Sequence, residues 1–201
     1  MSAISSSVQA KSDPSFNPHI FDAALTACRW EECDLFLVDT AKQVSVFVNE
    51  KREVLFSWPV STSKHGNGQV EYTSQTPSGL HRIREKVGDG VNPYGMLTLP
   101  NQETEICRPT FAAPCEHLTL LDRPQIVGRI LYLEGLEKGY NQGKNANGKS
   151  VDSGERLISI HGTNDLMHLG KPVTGGSIRL APEAIVELFN RVSEKTRVYI
   201  A

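Results

Sequence analysis

Three successive runs rich in β-branched and aromatic residues constrain the fold of this chain more than any other feature: DLFLVD (34–39), QVSVFV (43–48) and EVLFSWPVS (53–61). Such residues fit a pleated, half-buried surface, so each run reads as a strand. The links between them, Thr40-Ala41-Lys42 and Asn49-Glu50-Lys51-Arg52, are of hairpin length. Parallel strands need a far longer crossover, so the economical arrangement is an antiparallel meander. Phe47, Val48, Val54, Leu55 and Phe56 are its expected core side chains.

The rest of the chain adds strands and two short helices. Asn17-Pro18 reads as a helix cap and first helical residue, after which Ile20, Phe21, Ala24, Leu25 and Cys28 share one face. Residues 62–78 form a loop rich in Gly, Ser and Thr, which Thr76-Pro77-Ser78-Gly79 is expected to close as a β-turn. GLHRIREKVG (79–88) and VGRILYLEGL (127–136) read as strands, and prolines break the stretch between them. Residues 137–156 lack apolar periodicity and read as a flexible surface loop, a candidate lid. Leu157–Ile160 resumes as a strand, Pro182 opens a helix with Ile185, Val186, Phe189 and Val192 on one face, and TRVYIA (196–201) is a last strand. The expectation is a mostly-β fold with short helices: an N-terminal extension over residues 1–33 and one main domain over 34–201.

Composition narrows the function. The formal net charge is -2 with no long block of one sign, which argues against nucleic-acid and polybasic membrane partners. No apolar run is long enough for a membrane span, so no insertion is expected. Residues 1–15 are polar and Ser-rich without an apolar core, so the sequence as written carries no secretory signal and reads as cytoplasmic. The cysteines are Cys28, Cys33, Cys107 and Cys115; none forms CxxC and no His stands at zinc-finger spacing, so neither a metal nor another cofactor is expected. Cys107 and Cys115 are near enough in sequence to pair in an oxidising compartment, although plain thiols are the commoner case.

Chemistry concentrates in LISIHGTNDLMHLGKPVTGGSIRL (157–180). A strand delivers His161 beside Gly162, at the point where the chain is expected to leave the sheet. Thr174-Gly175-Gly176-Ser177 then presents a hydroxyl on a glycine-flanked turn. A base on a strand and a small nucleophile on such a turn are parts of an acyl-transfer site, because glycines let the backbone approach a substrate and leave N–H groups for an oxyanion. Each residue alone also has a plainer reading, an edge histidine and a turn serine.

The order of hairpin strands, PVSTSKHGNG, TPSGLHRI, ILYLEG, IHGT and a Gly-Ser turn followed by IRL resembles the L,D-transpeptidase catalytic domain, the YkuD-type family, over roughly residues 34–201. The resemblance implies a β-sandwich-like fold, peptidoglycan stem peptides as partners, and an acyl-enzyme formed on a cysteine activated by a histidine. It also implies a cell-envelope or periplasmic location if a leader was removed. Carried over, His161 is the general base, Gly162 the residue whose carbonyl orients it, and Gly176 and Ser177 supply oxyanion donors. Thr174 matches the Ser/Thr of the nucleophile turn, Arg179 is a candidate for binding a substrate carboxylate or for pairing with a local acid, and His81 is a candidate lining residue opposite His161.

Two positions depart from the family pattern. Gly175 stands where the family has His, and Ser177 where it has the nucleophilic Cys. A thiol with a pKa of about 8.5 ionises readily beside an imidazole, whereas a hydroxyl must lose its proton during attack. Serine enzymes add a carboxylate behind the histidine, and Asp165 is the one acid nearby in sequence. The expectation is weak or absent turnover. Open alternatives are a natural peptide-binding pseudoenzyme, a substitution that traps a transpeptidase, and a Ser-dependent carboxypeptidase or hydrolase. The second departure at Gly175 favours natural divergence over a trapping substitution. The sequence sets no oligomeric state.

Overall fold

The computed structural model describes residues 16–29, 32–98, 110–111 and 124–201, so Cys107 and Cys115 lie outside the described residues. After helix α1 (Pro18–Ala27) come β1 (Leu35–Asp39), β2 (Val44–Val48), β3 (Val54–Pro59) and β4 (Gly79–Val87). The short pair β5 (Leu97–Thr98) and β6 (Thr110–Phe111) stands apart as its own sheet. Then follow β7 (Ile126–Gly135), β8 (Ser159–Thr163), β9 (Ile178–Leu180), helix α2 (Pro182–Arg191) and β10 (Arg197–Ile200).

The first three strands pair as the expected antiparallel meander. Eight strands form one sheet in the order β3-β2-β1-β10-β4-β7-β8-β9, so the C-terminal strand lies beside β1, parallel to it. The two edges of this sheet meet. Ser61, just past β3, donates its N–H to Arg179 O at 3.0 Å and accepts the Arg179 N–H at 2.9 Å. A sheet with its edges joined in this way has rolled up, and its sandwich-like form is two faces of one curled sheet around a shared core. Phe36 and Phe47 from one end thus pack with Ile160, Ile178 and Leu180 from the other, and with Ile185, Leu188 and Phe189 of α2.

β1 is buried along its whole length because both of its faces are covered. Phe36 and Val38 face the main core, while Leu35 and Leu37 meet Ile20, Ala24 and Leu25 of α1. Each large apolar side chain so buried contributes about 1.5–3 kcal/mol. Asn17 caps α1, its Oδ1 accepting the His19 N–H at 3.1 Å, with Pro18 as the first helical residue. No described helix is long and apolar enough to cross a membrane.

Several local expectations are corrected. Leu55 is 41% exposed and belongs to no core. Thr76 closes no turn: it bridges Asn67 in extended pairing, and its carbonyl accepts the Gly68 N–H at 2.9 Å. Residues 137–156 are bonded internally and to the body rather than standing free. Asp152 accepts from the N–H groups of Gly143, Gly154 and Glu155, and the buried Asn141 amide donates to Ser78 O and Leu80 O. Side-chain-to-backbone bonds of this kind have no sequence period, which is why the stretch looked structureless.

Candidate active site

The site is built by the parallel pairing of β8 and β9. In their register Ile160 faces Ile178 and His161 faces Arg179. Side chains alternate along a strand, and Ile160, Ile178 and Leu180 point into the core. Ser159, His161, Ser177 and Arg179 therefore share the opposite face as two neighbouring pairs. Above them lies a cleft of about 250 Å³ lined by Pro124, Gln125, Ile126, His161, Thr174, Gly175, Ser177 and Arg179.

His161 lies inside β8, between Ile130 of β7 and Arg179 of β9, and not at the point where the chain leaves the sheet. The strand starts later than the apolar run suggests, because Leu157 ends a turn with φ +53° and is 55% exposed. His161 Nδ1 is 2.9 Å from Gly162 O. A carbonyl can only accept, so Nδ1 carries the proton and Nε2 holds the lone pair. Among the described residues Nε2 has no hydrogen-bond partner. Burial lowers the imidazole to about 4, the Gly162 bond opposes that shift, and the Arg179 charge adds to it. At neutral pH the ring is an uncharged but weak base. Gly162 itself has no room for a side chain, since a Cβ there would lie 2.4 Å from Val127 O.

The turn that carries Ser177 is held from several sides. Thr62 O accepts the N–H groups of Val173 and Thr174, and Thr76 Oγ1 donates to Gly176 O at 2.9 Å. Gly176 has φ +129°, a conformation natural to glycine. One assigned role changes here. The Gly176 N–H donates to Thr174 Oγ1 at 3.2 Å, so it is not free to serve as an oxyanion donor. Thr174 lines the cleft, but its Oγ1 in turn donates to Ser177 O at 2.6 Å, which makes this hydroxyl a staple of the turn. The Ser177 N–H meets no acceptor among the described residues and is the remaining donor.

Ser177 and His161 border the same cleft, but no hydrogen bond joins them. Ser177 Oγ accepts the Ser159 N–H at 3.3 Å and lies 3.3 Å from Ser159 Oγ. Asp165 stands behind no imidazole of the site; its oxygens face His168 Nδ1 at 2.7 Å and Arg179 Nη1 at 3.6 Å. Arg179 borders the cleft and also has a local acid, Asp165, beside it.

His81 is the clearest correction. It is fully buried away from the cleft, with Nδ1 donating to Gly79 O at 3.0 Å and Nε2 accepting from Ser153 Oγ at 3.0 Å. Such a ring offers nothing to a substrate. Trp58, Tyr72 and Tyr94 do not line the cleft: Trp58 stacks on Phe56, Tyr72 is 94% exposed, and Tyr94 bonds Glu183.

Comparison with protein families matches the L,D-transpeptidase catalytic domain (YkuD) over residues 34–200. The chain belongs to this family. A search of curated proteins returned no match. Among solved structures, an L,D-transpeptidase from Mycobacterium smegmatis is 14% identical with a TM-score of 0.48, aligning over 84% of this chain and 58% of its own. A Cys-to-Ser mutant of the Enterococcus faecium L,D-transpeptidase is 15% identical with a TM-score of 0.48, over 86% of this chain and 51% of its own. The chain therefore spans little more than half the length of these structures. Sequence reasoning missed Ser159 and the Pro124–Ile126 wall. The register with β9 is what gives Ser159 its meaning, and three residues are too few for β9 to announce itself.

Proposed function

We propose that this domain binds a peptidoglycan stem peptide in the cleft between β8, β9 and Pro124–Ile126, and that it acylates slowly or not at all because residue 177 is serine. Membership of the L,D-transpeptidase family supports the substrate class. The observation that carries the low activity is that the Ser177 hydroxyl is engaged by Ser159 rather than by His161.

The chemistry agrees. A hydroxyl nucleophile needs a base that takes its proton during attack, with a conjugate acid matched to the working pH. His161 is lowered to about 4 and is backed by a backbone carbonyl, which orients the ring but adds no charge to stabilise an imidazolium. A thiol needs less help, because with a pKa of about 8.5 a small fraction is already thiolate at neutral pH, and the thiolate is a strong nucleophile. The scaffold suits sulfur and holds oxygen. Location in the cell envelope belongs to the same proposal and rests on the substrate class alone.

The test uses the chain as it stands. A synthetic tetrapeptide stem is titrated by calorimetry, and the same mixture is followed by chromatography. Saturable binding without conversion is expected. Conversion at the rates of ordinary enzymes, about 1–10³ per second, would contradict the proposed silence, and absence of binding would contradict the proposed ligand.

A further inference from the structure

Arg179 has an unusual neighbourhood for an arginine at the wall of a cleft. Its side chain is 17% exposed, and the guanidinium donates no hydrogen bond among the described residues. Its counter-charge, Asp165, keeps Oδ2 3.6 Å from Nη1, beyond hydrogen-bond range. The other carboxylate oxygen, Oδ1, takes the Nδ1–H of His168 at 2.7 Å. The strip carrying these groups is anchored. Asp165 N–H donates to Thr163 Oγ1 at 3.1 Å, Ser61 Oγ donates to His168 O at 2.9 Å, and Ser61 exchanges both backbone bonds with Arg179.

An unrestrained carboxylate this close to a guanidinium closes onto it and forms two parallel N–H···O bonds. The short bond to His168 stands against that closure. Asp165 thereby lends Arg179 a compensating charge without occupying its donors, and Arg179 lines the cleft.

We propose that His168, by holding Asp165 back from Arg179, keeps the guanidinium open for the terminal carboxylate of a bound peptide, so that residues 165 and 168 set the cleft's preference for carboxylate-terminated over neutral ligands. Both are positioning residues that act through Arg179. The proposal rests on the stem-peptide reading above.

The measurement is the ratio of affinities for a tetrapeptide stem with a free C-terminal carboxylate and for the same peptide amidated, at fixed pH and salt. His168→Ala releases Asp165 onto Arg179 and lowers the ratio about tenfold. Asp165→Asn removes the competing anion and raises the ratio. The double variant follows Asp165→Asn, since no carboxylate then remains for His168 to restrain. His168→Asn, whose amide donor reaches the place of Nδ1, keeps the ratio near that of the parent. His168 is 54% exposed, so its substitutions leave the core untouched. A structural role would weaken both peptides alike and give no rescue by Asn. An unchanged ratio in His168→Ala, or a double variant that follows His168→Ala, would overturn the proposal. Arg179→Ala separates the two levels. If it abolishes the preference while His168→Ala does not move it, only the positioning proposal fails. If Arg179→Ala leaves the ratio unchanged while both peptides still bind, Arg179 reads no carboxylate and the positioning proposal fails, whereas the stem-peptide reading stands.

Discussion

Two buried histidines, His81 and His161, are nearly the same object up to one atom. Each points Nδ1 at a glycine carbonyl, 3.0 Å for Gly79 and 2.9 Å for Gly162, and burial lowers each to about 4. The difference is at Nε2. Ser153 closes that nitrogen on His81, whereas on His161 it borders the cleft without a partner among the described residues. Burial and a depressed pKa thus do not distinguish a structural histidine from one in a site. The free second nitrogen does. The same reasoning applies to the hydroxyls: Thr174 is used up inside its turn, and Ser177 is taken by Ser159.

The contrast can be broken by substitution. The largest effect is expected in a Ser177→Cys background, where removing His161 should lower acylation by about 10²–10⁴-fold, as loss of a general base does. Removing His81 there should leave the rate per folded molecule unchanged. Rapid-mixing assays on both pairs decide it, and a comparable loss from His81 would erase the distinction. Stability should divide the other way. His81→Ala strands Gly79 O and Ser153 Oγ beside a new cavity, costing about 2–4 kcal/mol in denaturant unfolding. His161→Ala should cost less, because one side of that ring already meets the cleft.

The pH dependence sharpens the same point. Below the ordinary imidazole value of 6.5 the unfolded chain takes up a proton that folded His81 refuses until about 4. Stability attributable to His81 is therefore intact above 6.5, falls across that window, and levels off below it. Unfolding midpoints measured from pH 7 to pH 4 should fall less steeply in His81→Gln than in the parent. Equal slopes would mean that His81 is not held neutral. The smallest effect belongs to Thr174→Val, about 1 kcal/mol from the lost turn bonds, read as a small shift in melting temperature.

Much of this was legible in the sequence, and what was not has physical causes. The meander was visible because β-branched runs and hairpin-length links are local signals, and α1 because Asn17 and Pro18 mark its start chemically. Motif and spacing singled out His161 and Ser177, which the structure brings to one cleft. Ser159 was not, because its role comes from lying beside Ser177 across two strands that pair in parallel. The restraint of Asp165 by His168 is likewise a matter of distances: sequence can note that acid and imidazole are three residues apart, but not that the carboxylate stops 3.6 Å short of Arg179. The 137–156 loop was misread because its order comes from Asp152 and Asn141 bonding to backbone, which leaves no periodic trace.

The central claim is that a transpeptidase scaffold is present and is limited by the atom at position 177. Intact-protein mass spectrometry after incubation with a tetrapeptide stem tests it most directly, on this chain and on Ser177→Cys side by side. The account predicts a covalent acyl adduct on Ser177→Cys and none on the parent. An adduct forming on the parent as fast as on Ser177→Cys, or none on either, would contradict it.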